Sequence, residues 1–376
     1  MNKISVLALG DGYCGRITTC FAEDSSFNLH LLSNDRRDPS QFSRYCRSFR
    51  SYSRSLNQEE QLEIIIRRIQ ETHADVLLAV HLWSVRLVSL HQEMLSKHVQ
   101  LCFVPTLQTL EMVHDKWVLH QFLCKHSLPS PSTTLIRNTP EFWDEVSMQQ
   151  YPVVTKLRSA SNGAQMKVYE SYSSLVEDKY RIEQLSESAV VQTFITGRDI
   201  DISVLCKDGE VLAYTIQRSA LPRRNPFSTD RAIEFFEDEK TLYTVRTLVK
   251  LLKWNGVANF DILADRNNDK RMVIDFNPRY WSSMCGSLLA GVNFPVIACY
   301  AALGLPLPEH QQKLVRYIWP IESIYQAGRQ LFDRRGPKFY YHESGLRYIF
   351  KDPVVYVSLF FSRLGNWKVL KRTLFR

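Results

Sequence analysis

No stretch of this 376-residue chain approaches a membrane-spanning run, which takes about 18 apolar residues. No Cys-x-x-Cys pair occurs among its eight cysteines, Cys14, Cys20, Cys46, Cys102, Cys124, Cys206, Cys285 and Cys299, and most sit in apolar surroundings. Zinc ligation and a disulfide framework are therefore not expected, and buried thiols in a reducing compartment are. The ten histidines are scattered, so a histidine metal site is not expected either. There is no G-x-x-x-x-G-K-[ST] segment, which removes the P-loop enzymes. Internal repeats and low-complexity stretches are absent. Met1-Asn2-Lys3 leads straight into the apolar run Ile4 to Leu9 and a glycine turn, which reads as a first strand and not as a signal peptide. A cytoplasmic location follows as an expectation.

What remains is the composition of a soluble globular protein, 45% hydrophobic and 23% charged, long enough for two or three domains. The net charge of +8 is unevenly placed. From Gln312 to Arg376 thirteen Lys and Arg face four acids, so residues 1–311 carry about −1. Basic character belongs to the tail.

The first third alternates strand and helix signals. Apolar runs at Ile4–Leu9, Phe27–Leu32, Val76–Val80 and Leu101–Val104 predict strands, and Leu62, Ile65, Ile66 and Ile69 fall on one helical face. Such alternation predicts a parallel α/β sheet. A helix is predicted from about His114 to Lys125, followed by Ser127-Leu128-Pro129-Ser130-Pro131. Hairpin-like strands come next: Pro152–Thr155 with Met166–Tyr169, then Val190–Ile195, Ile200–Cys206 and Val211–Ile216. A helix over Thr241–Trp254 precedes two strands carrying Asp261 and Asp275.

Those two acids carry the most chemistry. Asp275, Asn277 and Arg279 alternate, and a strand sends alternate side chains to one face. Hard oxygen ligands beside a guanidinium suit Mg²⁺ on a polyphosphate, since Mg²⁺ takes one or two carboxylates plus phosphate oxygens. The competing reading is an exposed hairpin with a salt bridge, although clustered carboxylates repel without a cation. Lys156 ends an apolar strand beside the small-residue loop Ser159 to Ala164, a pattern that either holds phosphates or lets a lysine reach water. Asp199 and Asp201 share one face just past Gln192-Thr193-Phe194-Ile195, fit for ribose and adenine or else for a solvated strand edge. Gly10-Asp11-Gly12-Tyr13-Cys14-Gly15 matches G-x-G-x-x-G, a motif shared by dinucleotide sites, anion cradles and plain structural turns.

Taken together and in order, these segments resemble the ATP-grasp superfamily, in the branch of carbamoyl-phosphate synthetase, biotin carboxylase and amino-acid ligases. The resemblance covers residues 1–308. It implies a mixed α/β and α+β chain: a Rossmann-like pre-ATP-grasp domain over 1–112, a two-lobed ATP-grasp domain over 113–308 with lobes 113–188 and 189–308, and a basic C-terminal extension over 309–376. By the same resemblance Lys116 and Lys156 hold ATP phosphates, Gln192, Thr193, Phe194 and Ile195 form the adenine hinge, and Asp199 takes the ribose. Asp261, Asp275 and Asn277 bind two Mg²⁺ ions, with Mn²⁺ an acceptable substitute, and Arg279 faces the transferred phosphoryl group. Three departures mark this chain: one glycine, Gly163, in the phosphate loop, Asp for Glu at both metal positions, and Gln for Glu at the hinge.

The implied activity is ATP-dependent joining of a carboxylate to an amine or other nucleophile through an acyl phosphate, on small-molecule substrates such as an amino acid or peptide. A regulatory module that binds ATP without turnover is the alternative, and a dehydrogenase using the Gly10–Gly15 turn is a third reading. Tyr280 and Trp281, with Ser282 and Ser283, are expected to floor the substrate pocket. Arg218, Arg223 and Arg224 form either an anion-binding loop or a basic surface. No nucleic acid partner is expected, and a homodimer is open. Val354–Phe361, followed by Arg363, Lys368, Lys371, Arg372 and Arg376, suits either peripheral contact with anionic lipid or packing against the body or a partner.

Overall fold

The computed structural model describes residues 3–11, 14–159, 166–222, 230–332 and 340–364. Strand β1, Ile4–Gly10, is apolar on both faces and pairs in parallel with β2, Phe27–Ser33, and with β4, Val76–Ala79. β3, Cys46–Ser51, and β5, Gln100–Leu101, complete a five-stranded sheet in the order β3-β2-β1-β4-β5. Its alternation feeds two cores. Leu7 and Leu9 pack with Leu62, Ile65 and Ile69 of the helix Gln58–Thr72. Val6 and Ala8 pack with Ile17 and Cys20 of Cys14–Phe21 and with Val296 and Ile297 of Phe294–Ala302. A fully parallel sheet is buried on both sides, which is why its strands read as continuous apolar runs. The last strand is shorter than the apolar run Leu101–Val104 predicts, because the chain turns at Pro105 into the helix Leu107–His114.

A second, four-stranded antiparallel sheet has the order β6-β9-β7-β8: Thr133–Leu135, Ala189–Thr193, Val153–Leu157 and Lys167–Tyr169. A third has six strands in the order β14-β13-β10-β11-β12-β15. These are β10 Gly197–Lys207, β11 Glu210–Ser219, β12 Ala232–Phe235, β13 Gly256–Asp265, β14 Arg271–Asn277 and β15 Arg316–Ile318. One face of the third sheet, Ile200, Ile202, Val204, Phe260, Ile262 and Phe276, packs on the helix Glu239–Leu252. That helix buries Leu242, Val245, Leu248, Val249 and Leu252 at helical spacing and is N-capped by Asp238. Truncating one such leucine to alanine costs about 2–5 kcal/mol.

The segment beyond 309, read in the sequence as a basic C-terminal extension, packs on the rest of the fold as far as it is described. β15 pairs antiparallel with β12. The helix Pro353–Leu364 rests on the turn Pro39–Phe42, with Val355 buried, while Asp352 accepts from Ser43 Oγ and Lys351 pairs with Glu23. Lys368, Lys371, Arg372 and Arg376 of the predicted lipid-binding tail lie outside the described residues. Among the described residues no helix is long and apolar enough to cross a membrane, and Cys20, Cys46, Cys102, Cys124, Cys206, Cys285 and Cys299 are free thiols.

Candidate functional site

Between the second and third sheets runs a cleft of about 550 Å³. Register builds its floor. Asp201 on β10 pairs directly with Asp261 on β13, which pairs with Asp275 on β14. Two residues along, Ser203, Asn259 and Asn277 form a parallel row on the same face. Apolar residues at intervening positions of β10 and β13 point into the core, so the pleat turns Asp201, Asn259, Asp261, Asp275 and Asn277 to the cleft, while Ser203 stays buried beneath Asn259 and accepts from its side chain.

Lys156 and Lys116 stand over this floor. Lys156, next to last in β7, donates to Gln192 Oε1 at 2.7 Å; Gln192 in turn donates to Thr133 Oγ1 at 2.9 Å. Burial lowers the Lys156 ammonium from 10.5 to about 8, against the pull of Asp275. Lys116 opens the helix Lys116–Lys125, and its Nζ lies 3.1 Å from Asp275 Oδ1. Asp115 caps that helix by accepting from the backbone of Trp117 and Val118, and Arg158 grips the same carboxylate at 2.6 Å. Lys116 is thereby pinned at both its backbone and its side chain.

Asp261 is held well above the usual carboxylate range by burial first, and then by the neighbouring charges of Asp201 and Asp275. Carboxylates crowded in this way seek a cation. Asp261, Asp275 and Asn277 therefore fit magnesium: two carboxylates and an amide oxygen, with remaining positions left to phosphate and water. Among the described residues no group of three His, Cys, Asp or Glu is arranged to hold a metal by itself.

The cleft is lined by Lys116, Lys156, Asp199, Asp261, Asp275 and Asn277. Gln192, Thr193, Phe194, Ile195, Arg279 and Trp281 line it as well. Two expected residues are elsewhere. Tyr280 does not floor the cleft: it is buried at 1% exposure in the core beside the first sheet, its backbone N–H donating to Val80 O at 3.3 Å. Arg218 is not on the lining; it pairs with Glu234 at 2.6 Å and lies over the Phe236 ring. Arg223, Arg224 and Gly163 lie outside the described residues. Arg279 reaches the cleft differently from the predicted alternation. β14 ends at Asn277, and past Pro278 the Arg279 backbone N–H turns back onto Asn277 O at 2.9 Å.

Residues the sequence reading missed are Gln217, Asn259, Asp230 and Trp319 on the lining, and the Asp115–Arg158 pair behind it. Strand alternation around Asp201 and Asp261 was the available signal for Asn259. Of the glycine turn after β1, Gly12 and Tyr13 lie outside the described residues; Gly15 lies beside Val355, and Asp11 is tied to Arg54 at 2.6 Å.

Comparison with known proteins agrees with this architecture. Residues 113–283 match the family described as ATP-grasp domain. The D-aspartate ligase of Enterococcus faecium (strain Aus0004) is 21% identical over 257 residues, spanning 62% of this chain and 61% of that protein. The chain thus matches about three fifths of that relative's length. The ADP complex of N5-carboxyaminoimidazole ribonucleotide synthetase superposes with a TM-score of 0.67 at 15% identity, covering 88% of this chain and 86% of that one. The biotin carboxylase domain dimer of Hydrogenobacter thermophilus 2-oxoglutarate carboxylase, in complex with MgADP, ADP and bicarbonate, superposes at 0.63 and 14% identity, covering 84% and 73%. Residues 113–283 thus match an ATP-grasp domain, and the five-stranded parallel sheet precedes them in the chain.

Proposed function

We propose that the protein is an ATP-dependent ligase that joins a carboxylate to an amine through an acyl phosphate, releasing ADP and phosphate, with an amino acid or peptide among its substrates. The observation that carries this reading is the opposition of Lys116 and Lys156 to the row Asp201–Asp261–Asp275 across one cleft. The D-aspartate ligase match supports the amino-acid substrate.

In this reading the edge Gln192 to Ile195 receives adenine and Asp199 accepts from the ribose hydroxyls. Lys116 and Lys156 neutralise phosphate oxygens. Asp261, Asp275 and Asn277 would hold magnesium, which supplies the positive charge that a triphosphate needs beside three aspartates. A substrate carboxylate oxygen attacks the γ-phosphorus and the bond to ADP breaks. Arg279 meets the charge on the transferred phosphoryl group, an electrostatic role that typically contributes about 100-fold or more. The nitrogen of a neutral amine then attacks the acyl carbon, the bond from that carbon to the phosphate oxygen breaks, and the nitrogen's proton leaves with the phosphate.

The test is phosphate release from MgATP with pooled amino acids, alongside binding of a fluorescent ATP analogue. Release that is lost in Asp275→Asn supports the ligase. Nucleotide bound without release across the whole pool supports the non-catalytic ATP-binding module instead.

A further inference from the structure

The polar row on the cleft floor does not stop at the aspartates. Asp201 pairs directly with Gln217 on β11, so one register line runs Asp275, Asp261, Asp201, Gln217 across four strands. Gln217 donates to Asp201 Oδ2 at 3.2 Å and to Ser283 Oγ at 2.8 Å, which commits its amide nitrogen. Its carbonyl oxygen, Oε1, is buried without a hydrogen-bond partner. Ile233, on the strand next to β11, lines the cleft on that side, and Trp281, Trp319 and Asp230 are also on the lining. The indole nitrogens of Trp281 and Trp319 are likewise buried without partners. Buried polar atoms are costly to leave unpaired and are nearly always satisfied, so one unmet acceptor and two unmet donors around one end of a cleft mark a place for a polar ligand.

Trp319 comes from outside the matched family segment and is held firmly in place. β15 pairs with β12 just before it, its backbone N–H donates to Arg231 O at 3.2 Å, and Arg231 grips Glu322 through two contacts of 2.9 Å. These contacts fix the Trp319–Pro320 corner against the strand that carries Ile233.

We propose that this end of the cleft binds the amine substrate, and that Trp319 determines which amine is accepted. The proposal rests on the ligase reading above and adds to it where the amine is held and which residue selects it. Gln217 Oε1, with the carboxylates of Asp201 and Asp230 nearby, accepts from an ammonium or amino group. The two indole N–H groups donate to an oxygen of the same molecule, and the indole faces favour a cation beside them. Amino and oxygen groups on one small molecule are the pattern of an amino acid, and not of a simple alkylamine or carboxylate.

The experiment is calorimetry on the full chain saturated with a non-hydrolysable ATP analogue and Mg²⁺, titrated with each of the common L- and D-amino acids, and with ethylamine and acetate as half-probes. The expected result is that at least one amino acid binds about tenfold more tightly than either half-probe. Trp319→Ala should weaken that amino acid about tenfold, and Trp319→Phe, which keeps a wall but loses the N–H, by a smaller factor, with analogue affinity within about twofold of wild type. Unchanged amino-acid affinity in both variants, or wild-type protein that binds the analogue but no amino acid better than the half-probes, overturns the proposal. Wild-type protein that does not bind the analogue overturns the ligase reading itself, and this inference with it.

Discussion

Lys116 reaches across the cleft to Asp275, Nζ to Oδ1 at 3.1 Å, so a phosphate-binding candidate and a metal-binding candidate neutralise each other in this structure. A nucleotide with its metal must separate them. Removing the carboxylate should therefore have opposite effects on two forms of the ligand. Asp275→Asn should bind metal-free ATP at least as well as wild type, because Lys116 is released, yet lose the gain that Mg²⁺ gives. Calorimetry with Mg²⁺ and with EDTA tests this. If Asp275→Asn keeps the full Mg²⁺-dependent gain, Asp275 is not a metal ligand.

Lys156 sets a pH dependence. Burial depresses its ammonium from 10.5 to about 8 in the folded protein. Below about 8 the side chain is charged and can hold phosphate; above it the charge is lost. Nucleotide affinity should fall as pH rises through that value, and Lys156→Arg, charged throughout, should flatten the profile. Stability runs the other way. Between about 8 and 10.5 the unfolded chain binds the extra proton, so stability rises with pH across that window. Lys156→Met should abolish the rise, as read by melting temperature against pH.

Asp261 sets a second pH dependence. Burial and the charges of Asp201 and Asp275 raise its carboxyl well above the usual range, so the folded state holds a proton that the unfolded state gives up more readily. Its contribution to stability is therefore best at acid pH and declines as pH rises past the ordinary carboxylate range. Asp261→Asn removes the repulsion and should raise the melting temperature at neutral pH by a few degrees while abolishing turnover. A melting temperature that falls would show that the carboxylate is structurally required.

Much of this site is legible locally, and the rest depends on pairing across long separations. Asp261, Asp275 and Asn277 could be placed on one face because alternation with Phe260, Ile262 and Phe276 is a local pattern. Arg218 and Gln217 show the limit. The charge of Arg218 draws attention, but the pleat turns it onto Glu234 and gives the cleft to its uncharged neighbour. Tyr280 and Trp281 differ likewise, because the strand ends at Asn277 and the chain then turns, so that alternation no longer sorts the side chains. Trp319 is beyond local reading, since its position depends on β15 joining β12 some 80 residues earlier in the chain.

Asp115 and Arg158 make the last case, a pair that touches no proposed ligand yet places one that does. Asp115 accepts from the first turn of the helix Lys116–Lys125 while Arg158 holds its other oxygen, and Lys116 N donates to Arg158 O at 3.0 Å. Arg158 extends from the strand of Lys156, so the pair ties the two lysines to one another across the start of the lobe. Losing the cap should cost about 0.5–2 kcal/mol of stability, and the salt bridge, being partly exposed, adds little. The larger effect should fall on geometry. Asp115→Ala should weaken nucleotide binding, whereas Asp115→Asn, which still caps, should restore the helix start and recover most of the affinity. Melting curves and analogue titrations on both variants separate the two roles: if Asp115→Asn binds as poorly as Asp115→Ala, the ion pair and not the cap positions Lys116.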